Sequence, residues 1–285
     1  VHNFRFFCPN GLLLYQNNKM CNDFNNPIRC IKGKCYRNSY LQTLLYCLHI
    51  GYIKKNNILK NIDAVVVLTE FMDKFIKNNT NQNVKTYVIP NGVSRIEKDT
   101  HKETTSNYYL YIGRLSKEKG IFTIIEAFKM LNVVLYIAGE GPIRKKMLNK
   151  LKSEKIQHIK YIGFINEKEK AEYISNARAI IVPSECYEQM PLAIIEAFSA
   201  GKPAIVSDIG GMPYLVVNGY NGFIFKMGDI DSLQNAVYNI DYMKKEEYQI
   251  MCNNAFNSWR TKYSTAVFEK SIKDLYKGIY EKQTV

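Results

Sequence analysis

Two glutamates, Glu188 and Glu196, stand eight positions apart in the segment that runs from Pro183 to Ala197. The residues around them suit a ligand that carries both phosphate and hydroxyl groups. Ala179-Ile-Ile-Val182 is a short apolar run closed by Pro183, the pattern of a buried parallel strand. Pro191 fits the first turn of a helix, where its missing N–H does no harm. Glu188 then precedes that helix and Glu196 lies inside it. Free amides at a helix start attract anions, and the N–H groups near Met190, Leu192 and Ala193 are the ones that would meet a phosphate group there. A carboxylate alongside can accept hydrogen bonds from sugar or ribose hydroxyls. The pair by itself would serve equally as two solvated helix glutamates.

A second segment supplies the opposite charge. Tyr108-Tyr-Leu-Tyr-Ile112 reads as a strand ending in a turn at Gly113, followed by Arg114-Leu-Ser-Lys-Glu-Lys119-Gly120. Ile121, Ile124, Ile125, Phe128 and Leu131 then repeat at helical spacing. A strand, a glycine turn and two cations before a helix direct positive charge at the carboxyl edge of a parallel sheet. Arg114 offers a bidentate fork and Lys119 a compact point charge, both suited to phosphate oxygens.

Taken together, these segments resemble the retaining nucleotide-sugar glycosyltransferases of family four, which have the GT-B fold. Three matches carry the resemblance: the Glu, seven residues, Glu pattern, the Ala200-Gly-Lys-Pro203 that follows it, and Gly113-Arg-Leu-x-x-x-Lys119-Gly. The resemblance implies two Rossmann-like domains with parallel sheets. It also implies hexosyl transfer from a nucleoside diphosphate sugar to a glycan or lipid-linked acceptor, as in surface polysaccharide or glycoconjugate synthesis. Arg114 and Lys119 would neutralise the leaving diphosphate, Glu188 would hold donor sugar hydroxyls, and Glu196 the ribose. Gly113 and the backbone around Phe164 would border the donor, leaving uracil and guanine both open. His2 matches a strand-end histidine placed beside the donor sugar. No metal or other cofactor is expected, because the two cations supply the charge that magnesium supplies elsewhere. Asp229-Ile-Asp231 accordingly reads as a helix N-cap rather than a metal motif. Tyr214 departs from the family, standing where a glutamate is common.

These residues need a frame to hold them. Strands and helices alternate regularly after Asn107, which predicts a doubly wound α/β domain over 108–260. A Lys-, Glu-, Thr- and Ser-rich linker is expected at 94–107, and a shorter Rossmann-like domain over 1–93. An amphipathic helix over 261–285 is expected to pack back toward that first domain. In the first domain, Ile62–Phe71 suggests a buried strand with Thr69 capping the next helix. Fewer than 100 residues precede the linker, and the family's first strand and its glycine-rich loop do not appear. The chain is therefore expected to be truncated at its amino end. That keeps open a non-catalytic remnant, a subunit needing a partner, or a sugar-nucleotide epimerase.

The 285 residues carry a formal charge of +13, with basic residues spread along the chain and no nucleic-acid module signature. A phosphorylated substrate or an anionic membrane face suits that charge better than nucleic acid does. No apolar run approaches the roughly 20 residues of a membrane span. The expected location is cytoplasmic, with peripheral contact at the inner membrane face. Of seven cysteines, Cys8, Cys21, Cys30 and Cys35 cluster early, with twelve, eight and four residues between them. Without a Cys-x-x-Cys pair they read as reduced thiols, a structural zinc being the alternative. Related transferases sometimes have a further cysteine where this chain has Phe24.

Overall fold

The computed structural model describes residues 1–16, 19–80, 84–97 and 107–283. The chain divides into two compact units, Asn91–Ile272 being one and Val1–Pro90 with Lys273–Val285 the other. The linker expected at 94–107 lies mostly outside the described residues, which leave out 98–106.

In the first unit the described strands are short. β1 (Leu14–Tyr15) and β2 (Lys19–Met20) form an antiparallel pair. Helices α1 (Pro27–Lys32) and α2 (Tyr40–Lys55) follow, with Asn26 and Ser39 capping their first turns. β3 (Val65–Val67) pairs in parallel with β4 (Thr86–Val88), and α3 (Glu70–Asn79) connects them. The strand expected over Ile62–Phe71 thus contracts to three residues. Thr69 does occupy the N-cap position of α3, but its side chain makes no capping bond. Its backbone carbonyl takes the Met72 and Asp73 amides instead, and its buried hydroxyl has no partner among the described residues. All seven cysteines are free thiols. The Cys30 thiol hydrogen-bonds with those of Cys35 and Cys47, the last of which burial pushes up to about 11. Among the described residues, no three His, Cys, Asp or Glu side chains are grouped to hold a metal ion.

The second unit is a six-stranded parallel sheet wrapped by helices. In chain order come β5 (Tyr108–Ile112), α4 (Ile121–Lys129), β6 (Val134–Ala138), α5 (Arg144–Ser153), β7 (Ile159–Gly163) and α6 (Glu167–Asn176). After them come β8 (Ala179–Val182), α7 (Leu192–Ser199), β9 (Ala204–Ser207), β10 (Gly222–Phe225), α8 (Ile230–Asp241) and α9 (Lys245–Ser258). A π-helical turn, Trp259–Tyr263, interrupts the expected terminal helix before α10 (Thr265–Gln283), whose residues from Lys273 on belong to the first unit. The spatial strand order is β10-β9-β8-β5-β6-β7, every neighbouring pair being parallel.

The central strands β5, β8 and β9 are covered on both faces, which is why their sequences are nearly continuous apolar runs. α4 contributes Ile121, Ile124, Ile125 and Phe128 to one core with Tyr109, Leu135, Ile181 and Val237. The Tyr109 hydroxyl donates to the Val237 carbonyl at 3.3 Å. Asp229 caps α8 by accepting from the Ser232 amide at 3.0 Å, as expected of a helix start.

Phe128 packs edge-on against Tyr109, their centroids 5.6 Å apart, and is fully buried. Phe128→Ala should lower stability in urea unfolding by about 3–5 kcal/mol. Met130, two residues on and exposed, should tolerate alanine within about 0.5 kcal/mol. Equal losses for the two variants would mean that this core is wrongly drawn.

Candidate active site

The sheet order reverses at β5. The chain leaves β5 toward β6 and β7 on one side, then returns to lay β8 on the other side and continues to β9 and β10. In open α/β sheets, such a switch point leaves a crevice beyond the carboxyl ends of the two central strands, because the following loops depart in opposite directions. Here the loop after β5 carries Gly113, Arg114 and Lys119, and the loop after β8 carries Glu188.

Gly120 seals the two loops together. It closes the 3₁₀ turn Lys117–Lys119 with φ +71, and a Cβ at this position would overlap the Pro183 carbonyl oxygen. Only glycine meets both demands without strain. Further bonds lock the junction. The Glu185 amide donates to the Glu118 carbonyl at 2.8 Å, and the Thr123 hydroxyl donates to the Glu185 carboxylate at 2.5 Å. A third loop joins from β9, where the Gly211 amide donates to the Glu188 carbonyl at 2.6 Å.

With its backbone held from two sides, the Glu188 carboxylate meets the Lys119 ammonium in a close ion pair, and the Ser184 hydroxyl donates to the same oxygen at 2.8 Å. Both charged side chains are largely buried. Burial alone would lower the Lys119 pKa. The Glu188 carboxylate more than offsets that, so the ammonium holds its proton above the ordinary lysine value. Nearby, burial pushes the Cys186 thiol up to about 12, which leaves it neutral.

Arg114 differs in kind. It is exposed, and among the described residues its guanidinium has no hydrogen-bond or ion-pair partner. Its backbone is fixed, since the Tyr111 hydroxyl donates to the Arg114 carbonyl at 2.9 Å. Gly113 is tied to the next strand through its amide on the Ala138 carbonyl at 3.1 Å, and Leu115 to the Glu140 carbonyl at 2.8 Å. The Gly139-Glu-Gly141 turn is thereby part of the same edge.

Helix α7 begins where the sequence places it, with Pro191 at the N-cap. The amides of Leu192 and Ala193 open the helix, so they have no intrahelical acceptor. Met190 is buried, and its sulfur accepts from the Asn91 amide at 3.3 Å, so its side chain serves packing. Glu196 is held by Lys170 of α6 at 2.8 Å, and Lys170 also reaches Glu167 at 2.8 Å. Burial would lower Lys170, but the two carboxylates raise it. Sequence reasoning missed Lys170, because nothing in the spacing of α6 signals a partner 26 positions ahead. Phe164, just past β7, is 77% exposed. His2 belongs to the first unit and is exposed.

The raised Lys119 pKa sets a pH signature. The ion pair's contribution is fully present below the unfolded lysine value of 10.5 and is lost only as pH rises through the higher folded value. Thermal melts should therefore show an alkaline loss above pH 10.5 that Lys119→Met reduces. No change in that limb would contradict the pairing. Gly120→Ala should destabilise by more than the roughly 1 kcal/mol expected of Gly163→Ala. Gly163 also has positive φ, but the space beyond its Cα is open.

Comparison with known proteins follows the same lines. The family model described as glycosyl transferases group 1 matches residues 93–257, more than half of the chain. An uncharacterised glycosyltransferase of Methanocaldococcus jannaschii is 26% identical over 223 residues, covering 78% of this chain and 60% of its own. A UDP-Gal:alpha-D-GlcNAc-diphosphoundecaprenol alpha-1,3-galactosyltransferase of Escherichia coli is 30% identical over 214 residues, covering 68% of this chain and 54% of its own. The chain thus spans a little over half the length of these relatives. Among solved structures, sucrose-phosphate synthase from Thermosynechococcus elongatus superposes with a TM-score of 0.73 at 21% identity, covering 82% of this chain and 62% of that one. Anabaena HepE in complex with UDP and glucose gives 0.67 at 19% identity, covering 78% and 65%. These likenesses give the fold, which is GT-B, and the family match gives the lineage: the chain belongs to the group 1 glycosyltransferases.

Proposed function

We propose that this glycosyltransferase moves a hexosyl residue from a nucleoside diphosphate sugar to a glycan or lipid-linked acceptor, with retention of configuration and without a metal. The reaction belongs to surface polysaccharide or glycoconjugate synthesis, in the cytoplasm at the inner membrane face. The observation that carries this reading is the Lys119–Glu188 pair at the switch point, with an Arg114 guanidinium on the same loop that has no partner among the described residues. The Escherichia coli relative takes its sugar from UDP-galactose and gives it to a diphosphoundecaprenol-linked acceptor, by name. HepE binds UDP and glucose.

In this reading the diphosphate lies between Arg114, Lys119 and the free amides of Leu192 and Ala193. As the glycosidic bond breaks, negative charge builds on the leaving phosphate, and the two cations and the helix start are already oriented to receive it. Holding Lys119 charged is the work of Glu188, which is also free to accept from donor sugar hydroxyls through its second oxygen. Glu196, oriented by Lys170, takes the ribose. Phe164 marks the edge where the nucleobase would lie, and His2 is a candidate for the acceptor side. Of the titratable groups beside Glu188, Lys119 is held protonated and Cys186 is held neutral, so neither serves as a base near pH 7. The proton of the attacking hydroxyl passes instead to the departing phosphate oxygen, on the same face as the leaving group.

The test is release of nucleoside diphosphate that depends on added acceptor. Arg114→Ala and Lys119→Ala should each lower kcat by about 10²–10³-fold. Arg114→Ala should leave the melting temperature unchanged, because its side chain is exposed and makes no hydrogen bond or ion pair among the described residues. Glu196→Gln should chiefly raise the donor KM, by about tenfold or more, as expected for loss of a charged hydrogen bond. A chelator should not affect the rate. Donor interconversion without any acceptor would identify an epimerase instead.

A further inference from the structure

Asp229-Ile-Asp231 starts a helix, and both of its aspartates also line a cavity outside the active site. The cavity has a volume of about 410 Å³, within the range of small-ligand sites. Its walls come from β10, α8 and the loop at Asn218, all inside the residues matched by the family model. β10 is the edge strand of the sheet, two strands and roughly 10 Å from β8.

The lining is polar and has unused bonding capacity. Asp231, Asn235 and Asn239 are exposed on α8, and their side chains make no hydrogen bond or ion pair among the described residues. Asn218 uses its side-chain carbonyl to accept from the Ile224 amide at 2.9 Å, and its N–H donors have no partner among the described residues. An amide side chain both donates and accepts, which suits hydroxyls that do the same. Phe223 of β10 adds an apolar wall. Beside the cavity, Tyr238 and Tyr242 stack with ring centroids 5.7 Å apart, and Tyr242 is 80% exposed. At 3.6 residues per turn, the two rings and the three polar residues of α8 share about 100° of arc.

Charge narrows the ligand. Among the described residues the cavity is lined by two aspartates and no Lys or Arg, in a chain whose formal charge is +13. A phosphorylated ligand, drawn to the cations of the active site, is repelled here. Asp229 is engaged by the Ser232 amide, and no three metal-binding side chains are grouped among the described residues, so a metal ion does not fit either. The complementary ligand is neutral, with hydroxyls around its rim and C–H groups on its faces, as a sugar ring has.

We propose that this cavity is a second saccharide site, which holds an uncharged stretch of glycan away from the reacting end. Asn218, Asp231, Asn235 and Asn239 bond its hydroxyls, Phe223 packs against a ring face, and Tyr238 and Tyr242 continue as a platform. The inference rests on the proposed transfer to a glycan only for its use; the cavity itself is read from β10 and α8.

Binding of the 285-residue chain to an array of neutral and phosphorylated oligosaccharides tests it. The chain should bind neutral oligosaccharides. The double variant Asn235→Ala, Asn239→Ala should melt like the parent and lose about tenfold or more of that affinity. Tyr242→Ala should lose about two- to tenfold. No binding to any neutral oligosaccharide would overturn the inference. So would unchanged binding by the double variant, or an equal loss with the phosphorylated set. With a monosaccharide acceptor the double variant should transfer as the parent does, while its KM for a long neutral acceptor should rise. Neutral binding that the double variant loses, without any transfer by the parent, would support the second site and refute the proposed chemistry.

Discussion

Where β5 lies beside β8, two crossovers leave in opposite directions, and the loops they leave behind must share one stretch of sheet edge. The close approach of Gly120 to the Pro183 carbonyl sets how near those loops can come. A side chain at that position would push the cationic loop off the end of β8, and the Lys119–Glu188 pair would open with it. The Glu185 amide and carboxylate then tie the loop after β8 to Glu118 and to Thr123 of α4, and the Gly211 amide holds the Glu188 carbonyl from the loop after β9. The electrostatics of the site thus follow from a backbone contact, because an ammonium and a carboxylate several ångströms apart in water would gain little from each other.

That pair is also a choice between costs. Taking a lysine largely out of water disfavours its charge, and a lone cation there would give up its proton. Glu188 reverses the balance, and Ser184 satisfies the same carboxylate oxygen. Arg114 needs no such partner, since it remains in solvent and a guanidinium keeps its charge almost anywhere. The site therefore holds one cation in reserve within the protein and one open to an incoming anion. Lys170 repeats the first arrangement at Glu196, so each of the two glutamates has its own lysine.

The first unit shows a different economy. Its two-stranded parallel pair is small, and the buried Phe4 and Phe7 pack edge-on against Phe75 of α3. α2 is anchored by one face only, and the residues of the other face are as apolar as those turned inward.

The alternation of apolar runs and amphipathic helices made the parallel sheet of the second unit legible, because strands covered on both faces read as short continuous apolar runs and half-buried helices repeat at 3.6 residues. The same local signals gave Pro191 at the start of α7 and Asp229 as a cap. Gly113, Arg114, Lys119, Glu188 and Glu196 could be singled out because each sits at a fixed distance from a strand end or a helix start. Periodicity says nothing about which strand neighbours which, so the switch point between β5 and β8 came only from the tertiary structure. The same is true of the Gly120–Pro183 contact, the partnership of Lys170 with Glu196 and the packing role of Met190. Thr69 makes the same point in reverse: its type and position signal a cap, yet in the folded chain its carbonyl does that work and its hydroxyl makes no capping bond. Local propensity acts over a few residues, whereas a partner in space is set by how distant elements pack, and that is where the sequence stops being readable one segment at a time.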